Sequence, residues 1–307
     1  MSRVAVLQGG QSLERQVSLR SGARVIDALH RLGHEVVPVD AGQDLVVRLR
    51  DAAPDVAFIA LHGRDGEDGT VQELLELIGI PYTGSGISAC IQSFDKVLAK
   101  HRLVDAGIPT PDFFAFTEAA FKGLGAAQAL PEIEQRLDFP IVIKPAGQGS
   151  ALGIRFADNA GAVPAALLAA FSYDSKVLLE RFVQGPDLAI SVLDGVALPV
   201  VEAVPVGERY DFEARYNIGQ TEFVCPAQLP DGVTERAQEL AVRVWDVLGL
   251  RGMARVDVML SEESGELYVL EANAIPGLTD TSLLPQAAEA AGIDYDTLIQ
   301  RLLDLAA

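Results

Sequence analysis

The chain has 307 residues, 49% of them hydrophobic and 22% charged, and a formal net charge of −19. That composition is globular, and the length implies two or three domains of about 100 residues each. So acidic a chain argues against nucleic acid or an anionic membrane surface as a partner, because both need a positive footprint. Cys90 and Cys225 give neither a metal-ligand spacing nor a disulfide framework, which fits a reducing compartment. The N-terminus is too short in apolar residues for a signal-peptide core, and the longest apolar run, 162–171, contains Pro164 and is about half a membrane span. A soluble, cytoplasmic protein is expected.

In chain order, residues 4–7 read as a strand, 18–32 as an amphipathic helix closed by Gly33, 35–39 and 56–61 as strands, and 71–78 as a helix ending at Gly79. Short apolar strands alternating with helices predict an open parallel sheet whose ligands bind at the strand C-terminal ends. Two polar loops fall at such ends: Gln8-Gly-Gly-Gln-Ser-Leu-Glu14 and His62-Gly-Arg-Asp-Gly-Glu-Asp-Gly69.

A helix near 94–105 opens a second unit, followed by strands at 113–116, 141–144, 154–156 and 177–180 and a helix ending at Phe171. Lys144 ends an apolar strand, where a merely solubilising charge is out of place. The loop after it, Ala146-Gly147-Gln-Gly149-Ser150-Ala-Leu-Gly153, allows backbone N–H groups to approach an anion. It is not a Walker loop, and alone it fits a structural hairpin equally well. Lysine is scarce, with five in the chain, and Lys96, after Ser93-Phe-Asp95, is either a surface residue or a second phosphate ligand. The segment 177–183 has the character of an interdomain hinge. Its backbone suits an adenine edge, Glu180 suits the adenine amino group, and Asp187 suits ribose hydroxyls; each acid alone is also an ordinary surface group.

The third unit starts near Arg181. Residues 205–223 are polar and aromatic without clear period, as expected of a lid or binding loop. Two strands follow, Met253-Ala-Arg255-Val-Asp257-Val-Met-Leu260 and Glu266-Leu-Tyr-Val-Leu-Glu271-Ala-Asn273, joined by a polar turn. A hairpin centred near Ser264 sets Asp257 opposite Glu271 and Arg255 opposite Asn273, all on one face. Like charges directly opposite each other destabilise a sheet, and a cation removes the penalty. Carboxylate and amide oxygens suit Mg²⁺ that also holds substrate phosphates.

Together these stretches resemble the D-alanine–D-alanine ligases of the ATP-grasp superfamily, nearly end to end. The stretches that carry the resemblance are the Gly9-Gly10 loop through Ser18, the His62 loop, Pro81-Tyr-Thr-Gly84-Ser85, Asp95-Lys96, Lys144-Pro145, Tyr210-Asp-Phe-Glu-Ala-Arg-Tyr216, Arg255-Val-Asp257, Glu271-Ala-Asn273 and Pro276-Gly277. The resemblance implies a mixed α/β (α+β) fold of three-domain ATP-grasp architecture. It comprises a parallel-sheet substrate domain at 1–92, a central domain with the phosphate loop at 93–180, and a C-terminal domain at 181–307 with the metal site and the lid. It implies ATP-dependent joining of two D-alanines through a D-alanyl phosphate, for peptidoglycan precursors, by a cytoplasmic homodimer.

The residue roles it implies are these. Asp257, Glu271 and Asn273 hold two Mg²⁺ ions, for which Mn²⁺ can substitute. Lys96 and Lys144 grip phosphates, and Gly149, Ser150, Arg181, Phe182, Val183 and Arg215 complete the ATP site with Glu180 and Asp187. Glu14 takes the ammonium of the first D-alanine, linked to the lid through Ser150 and Tyr216, with His62 alongside. Arg255 and the Gly277 N–H stabilise the tetrahedral oxyanion, and Ser282 and Leu283 receive the second carboxylate. Tyr216 implies D-alanine rather than D-lactate as acceptor. The chain departs from the pattern at Gln148, Ala151, Arg215, Asp187 and Ala274-Ile275, which bears on ATP affinity and lid closure. A ligase with another acceptor and a catalytically silent nucleotide-binding protein are the competing readings.

Overall fold

A computed structural model describes residues 1–205 and 221–306, in which three sheets follow one another along the chain. Strands β1 (Arg3–Gln8), β2 (Glu35–Asp40) and β3 (Val56–Ile59) form the expected parallel sheet, in the order β2-β1-β3. Residues 4–7 and 56–59 are buried throughout, as strands covered on both faces must be. Helices α1 (Arg15–Arg31), α2 (Leu45–Ala52) and α3 (Thr70–Ile78) accompany them. The sequence reading omits α2, because its exposed Val47 blurs an apolar stripe that rests on Leu45 and Leu49.

The helix expected near 94–105 is α5 (Lys96–Asp105), and a helix the sequence did not announce, α4 (Ile87–Phe94), precedes it. Asp95 separates them. Its backbone is extended, and its carboxylate accepts the N–H groups of Val97 and Leu98 at 2.9 and 3.1 Å, as an N-cap does. Lys96 is thereby fixed as the first helical residue.

The second sheet is antiparallel, in the order β4-β7-β5-β6, from β4 (Phe113–Thr117), β5 (Ile141–Pro145), β6 (Arg155–Ala157) and β7 (Lys176–Arg181). Alternation divides its residues. Ile141, Ile143, Val177 and Leu179 pack under the helices Leu130–Leu137 and Val163–Phe171. Leu178 turns the other way, against Val97 of α5.

The third sheet runs β11-β10-β8-β12-β13, with β9 on β8. Its strands are β8 (Asp187–Leu193), β9 (Val196–Ala197), β10 (Val201–Pro205), β11 (Thr221–Val224), β12 (Met253–Leu260) and β13 (Leu267–Asn273). Residues 221–223, expected in the loop, belong to β11, which pairs with β10 from Thr221 opposite Pro205. Pro205, the other end of that loop, closes β10, and residues 206–220, with Arg215 and Tyr216, lie outside the described residues.

One apolar core runs continuously through the first and third sheets, while the second sheet has a core of its own. The first and third sheets meet closely: Arg251 donates its N–H to Ser85 Oγ at 3.0 Å and its Nε to the Gly84 carbonyl at 3.1 Å. No helix among the described residues is long and apolar enough to cross a membrane.

Candidate active site

A cleft of about 420 Å³ opens between the second and third sheets. That volume suits a small-molecule ligand. Its apolar walls include Val142, Phe156, Val183, Met259 and Leu270, and its charged groups include Lys96, Lys144, Asp187, Asp257 and Glu271. Glu180, Arg181 and Phe182 line it as well.

The β12–β13 hairpin has the expected register at the residues that matter, with Arg255 opposite Asn273 and Asp257 opposite Glu271. Nearer the turn, Val258 pairs with Val269, so Leu270 is an extra residue on β13. A bulge of this kind re-aims side chains. Here it turns both Leu270 and Glu271 into the cleft, although adjacent strand residues otherwise point to opposite faces.

The carboxylates are already partnered. Arg255 grips Asp257 with two hydrogen bonds, Nε to Oδ1 at 2.6 Å and Nη2 to Oδ2 at 2.8 Å, and the Asn273 amide reaches Asp257 Oδ2 at 3.3 Å. Lys96 Nζ lies 3.0 Å from Glu271 Oε2. The chain's own cations therefore relieve the Asp257–Glu271 repulsion, and the pairing by itself does not demand a metal. Donor chemistry is the better test. No three His, Cys, Asp or Glu side chains cluster as a metal site among the described residues. Two carboxylates and a carboxamide oxygen are nonetheless hard ligands, and Mg²⁺ beside a nucleotide needs only one or two protein carboxylates because phosphates complete its shell. The residues fit the ion.

Lys96 also donates to the Gln148 carbonyl at 2.7 Å, tying the glycine-rich loop to Glu271. Lys144 donates to Glu180 Oε1, while Lys100 lies 2.9 Å from Glu180 Oε2. Burial alone pushes the Glu180 carboxyl up, but the two lysines together hold it below its usual range. In the loop, Ser150 and Ala151 both have φ of 56°, a left-handed pair that curls the backbone. One of the loop N–H groups is already used: Gly147 donates to Asp174 Oδ2 at 2.7 Å.

Glu14 is buried where that loop meets the first sheet's loops. Ser150 Oγ donates to Glu14 Oε1. A Cβ on Gly63 would sit 2.6 Å from Glu14 Oε2 and one on Gly149 2.7 Å from it, so a side chain at either position would push the carboxylate aside. Burial and the nearby Glu67 raise the Glu14 pKa, against the pull of Ser150, His62 and Lys96. His62 Nε2 is 2.9 Å from Ser21 Oγ, and its Nδ1 is 3.6 Å from Glu67 Oε1. Ser21 Oγ in turn accepts the Leu278 N–H at 3.2 Å, which links His62 to the segment after Gly277. Ser282 Oγ accepts from Thr279 N–H at 3.0 Å, beside Gly277 and at the N-terminus of the helix Leu283–Ala290. The N–H groups of a first helical turn favour a carboxylate.

The structure thus brings Lys96, Lys144, Glu180, Arg181, Phe182, Val183, Asp187, Asp257 and Glu271 to one cleft. Arg255 and Asn273 join through Asp257. Glu14, His62, Gly149 and Ser150 form an adjoining cluster, and Gly277, Ser282 and Leu283 a third. Sequence reasoning missed Ser21, Glu67, Asp174, Leu270 and Lys100. Only Lys100 carried a signal, being one of five lysines and four residues beyond Lys96.

Two family models match the chain: D-ala D-ala ligase C-terminus over residues 103–304, and D-ala D-ala ligase N-terminus over residues 45–85. A D-alanine–D-alanine ligase of Syntrophotalea carbinolica is 46% identical, covering 98% of this chain and 95% of that protein. One of Moorella thermoacetica is 43% identical, with 99% of each covered. Among solved structures, a D-alanine–D-alanine ligase of Bacillus anthracis superposes with a TM-score of 0.87 at 34% identity, covering 99% of this chain and 97% of that one. The same enzyme complexed with ATP gives 0.85 at 32%.

Proposed function

The chain belongs to the D-alanine–D-alanine ligase family, and from that premise we propose how its residues carry out the reaction. Its activity is the ATP-dependent joining of two D-alanines, a step of peptidoglycan synthesis. A carboxylate oxygen of the first D-alanine attacks the γ-phosphorus of ATP, ADP leaves, and an acyl phosphate forms. The amine of the second D-alanine then attacks that carbonyl, loses a proton and displaces phosphate.

Glu14 receives the first ammonium; its burial against Gly63 and Gly149 supports a site sized for a small amine. His62, oriented by Ser21, lies alongside. Lys96 and Lys144 hold phosphate oxygens, with Gly149 and Ser150 of the loop. The hinge, from Arg181 to Val183, and Glu180 meet the adenine, Asp187 the ribose, and Arg215 the phosphates from the lid. Asp257, Glu271 and Asn273 would hold two Mg²⁺ ions, or Mn²⁺ in their place; bound there, such ions neutralise triphosphate charge during phosphoryl transfer. Arg255 and the Gly277 N–H stabilise the oxyanion, and Ser282 with the Leu283 N–H receives the second carboxylate. Tyr216, with Ser150, would join the lid to Glu14 and select D-alanine as acceptor. We assign residues 1–92, 93–180 and 181–307 to substrate, central and C-terminal domains of a cytoplasmic homodimer.

The observation that carries these roles is the meeting of the Asp257–Glu271 pair with Lys96 and Lys144 in one cleft. Incubation with ATP, Mg²⁺ and D-alanine should release phosphate and yield a product with the mass of the dipeptide. Phosphate release only with D-lactate would overturn the acceptor assignment.

A further inference from the structure

Among the described residues Lys100 is the most deeply buried charged side chain, yet no step above uses it. It is 0% exposed and does not line the cleft. Three neighbours account for its ammonium: Glu180 Oε2 at 2.9 Å, Thr110 Oγ1 at 2.5 Å, and the ring of Phe113 with its centroid 5.4 Å away. Thr110 is fixed in turn, donating its hydroxyl to the Val269 carbonyl at 2.7 Å, and Phe113 faces Glu180 across β4 and β7. An ammonium has three donor hydrogens. Thr110 takes one of them, the Glu180 carboxylate pairs with the charge at 2.9 Å, and the ammonium is wholly buried outside the cleft, so it does not reach a phosphate.

Lys144 is placed differently. It holds the other Glu180 oxygen but lines the cleft. When Lys144 turns to a triphosphate it leaves Glu180, a buried carboxylate that cannot stay charged without a partner. Lys100 is the partner that remains.

We propose that Lys100 is a positioning residue for nucleobase selection: it holds Glu180 as a charged, oriented acceptor while Lys144 serves the phosphates, and so makes the site demand a 6-amino purine. This rests on the reading of Glu180 as the acceptor of the adenine amino group. A carboxylate fixed in this way accepts from the N6 amino group of adenine and repels the O6 of a 6-oxo purine. Sites built to pair a substrate N–H reject analogues lacking it far more strongly than apolar pockets discriminate size.

The test compares ATP with inosine triphosphate, which carries oxygen at that position, in full-length Lys100→Met, Thr110→Val and Glu180→Gln variants. Lys100→Met should cut the ATP preference in kcat/KM by about tenfold or more, with the loss in the KM for ATP rather than in kcat. Thr110→Val should give a smaller loss in the same direction, and it leaves both charges in place should Lys100→Met fold poorly. Glu180→Gln, whose amide both donates and accepts, should also relax the preference. If Glu180→Gln relaxes it while Lys100→Met and Thr110→Val do not, Lys100 is only structural and the proposal falls. If Glu180→Gln leaves the preference intact, the adenine role of Glu180 falls first and takes the proposal with it.

Discussion

Glu14 carries the clearest conflict between stability and function. Its pKa is raised by burial and by Glu67, so the folded chain holds that proton more tightly than the unfolded chain does. The stability linked to Glu14 is therefore present at low pH and lost as pH rises through the raised value. Glu14→Gln should raise the melting temperature near neutral pH while abolishing turnover; an unchanged or lower melting temperature in a thermal scan would contradict the burial cost. The ammonium of D-alanine favours the charged form, so the KM for the first D-alanine should fall as pH rises from the acid side through the same range. At the hairpin, Glu271→Gln removes one of only two carboxylates in the proposed ion site. It should reduce kcat by at least about a hundredfold at ordinary Mg²⁺, the scale of lost electrostatic stabilisation at a reacting centre. Near-normal rates would remove Glu271 from the site. The pairing of Asp257 with Glu271 was legible in the sequence because a turn centre and a period of two determine it. The partners that neutralise the pair were less legible: Lys96 comes from a helix more than 170 residues away in the chain, and no local pattern announces it.

Among the elements, the bulge at Leu270 shows where sequence pattern runs out. An extra strand residue leaves no compositional mark, yet it decides which side chains face the cleft. Deleting Leu270 should restore regular alternation while leaving Glu271 opposite Asp257, and it takes one apolar side chain out of the cleft wall. ATP binding measured calorimetrically with Mg²⁺ should then weaken by roughly tenfold, the scale of one lost apolar contact, in a protein that still folds; unchanged binding would show that the bulge does not shape the cleft. Gly185 was unremarkable in the sequence but is constrained in space. Its φ is 145°, and an added Cβ would lie 1.9 Å from the Leu260 carbonyl oxygen. The hinge is pinned there, since Leu260 N–H donates to the Pro186 carbonyl and Glu262 N–H to the Gln184 carbonyl. Gly185→Ala should cost at least about 2 kcal/mol by strain at such a position, visible in urea unfolding. By contrast, the parallel sheet and the glycine-rich loop were readable, because apolar runs and glycines at strand ends report directly on burial and backbone freedom. The break between α4 and α5 had a legible cap in Asp95 but no legible preceding helix, since residues 87–94 mix small polar and apolar side chains without a wide stripe.

Across the whole molecule, the three sheets do not share one interior. The first and third are joined by a single core, while the helices Leu130–Leu137 and Val163–Phe171 close a separate one over the second sheet. Polar bonds join the glycine-rich loop to the rest of the site: Ser150 to Glu14, and Lys96 to Gln148. The net charge of −19 makes the positive groups in the cleft a local exception, so the approach of ATP should be sensitive to ionic strength and to its accompanying cation. Overall architecture was accessible from the order of strands and helices. The division into two cores was not, since it depends on which faces meet.

That partition has a mechanical corollary. A hatch with its own sealed interior can swing without wetting that interior, so its motion is resisted by its few outside contacts, the latch among them. Unlatching Ser150 with alanine should speed amide-proton exchange along the loop at 147–153 and leave the slow exchange of β5 and β7 untouched.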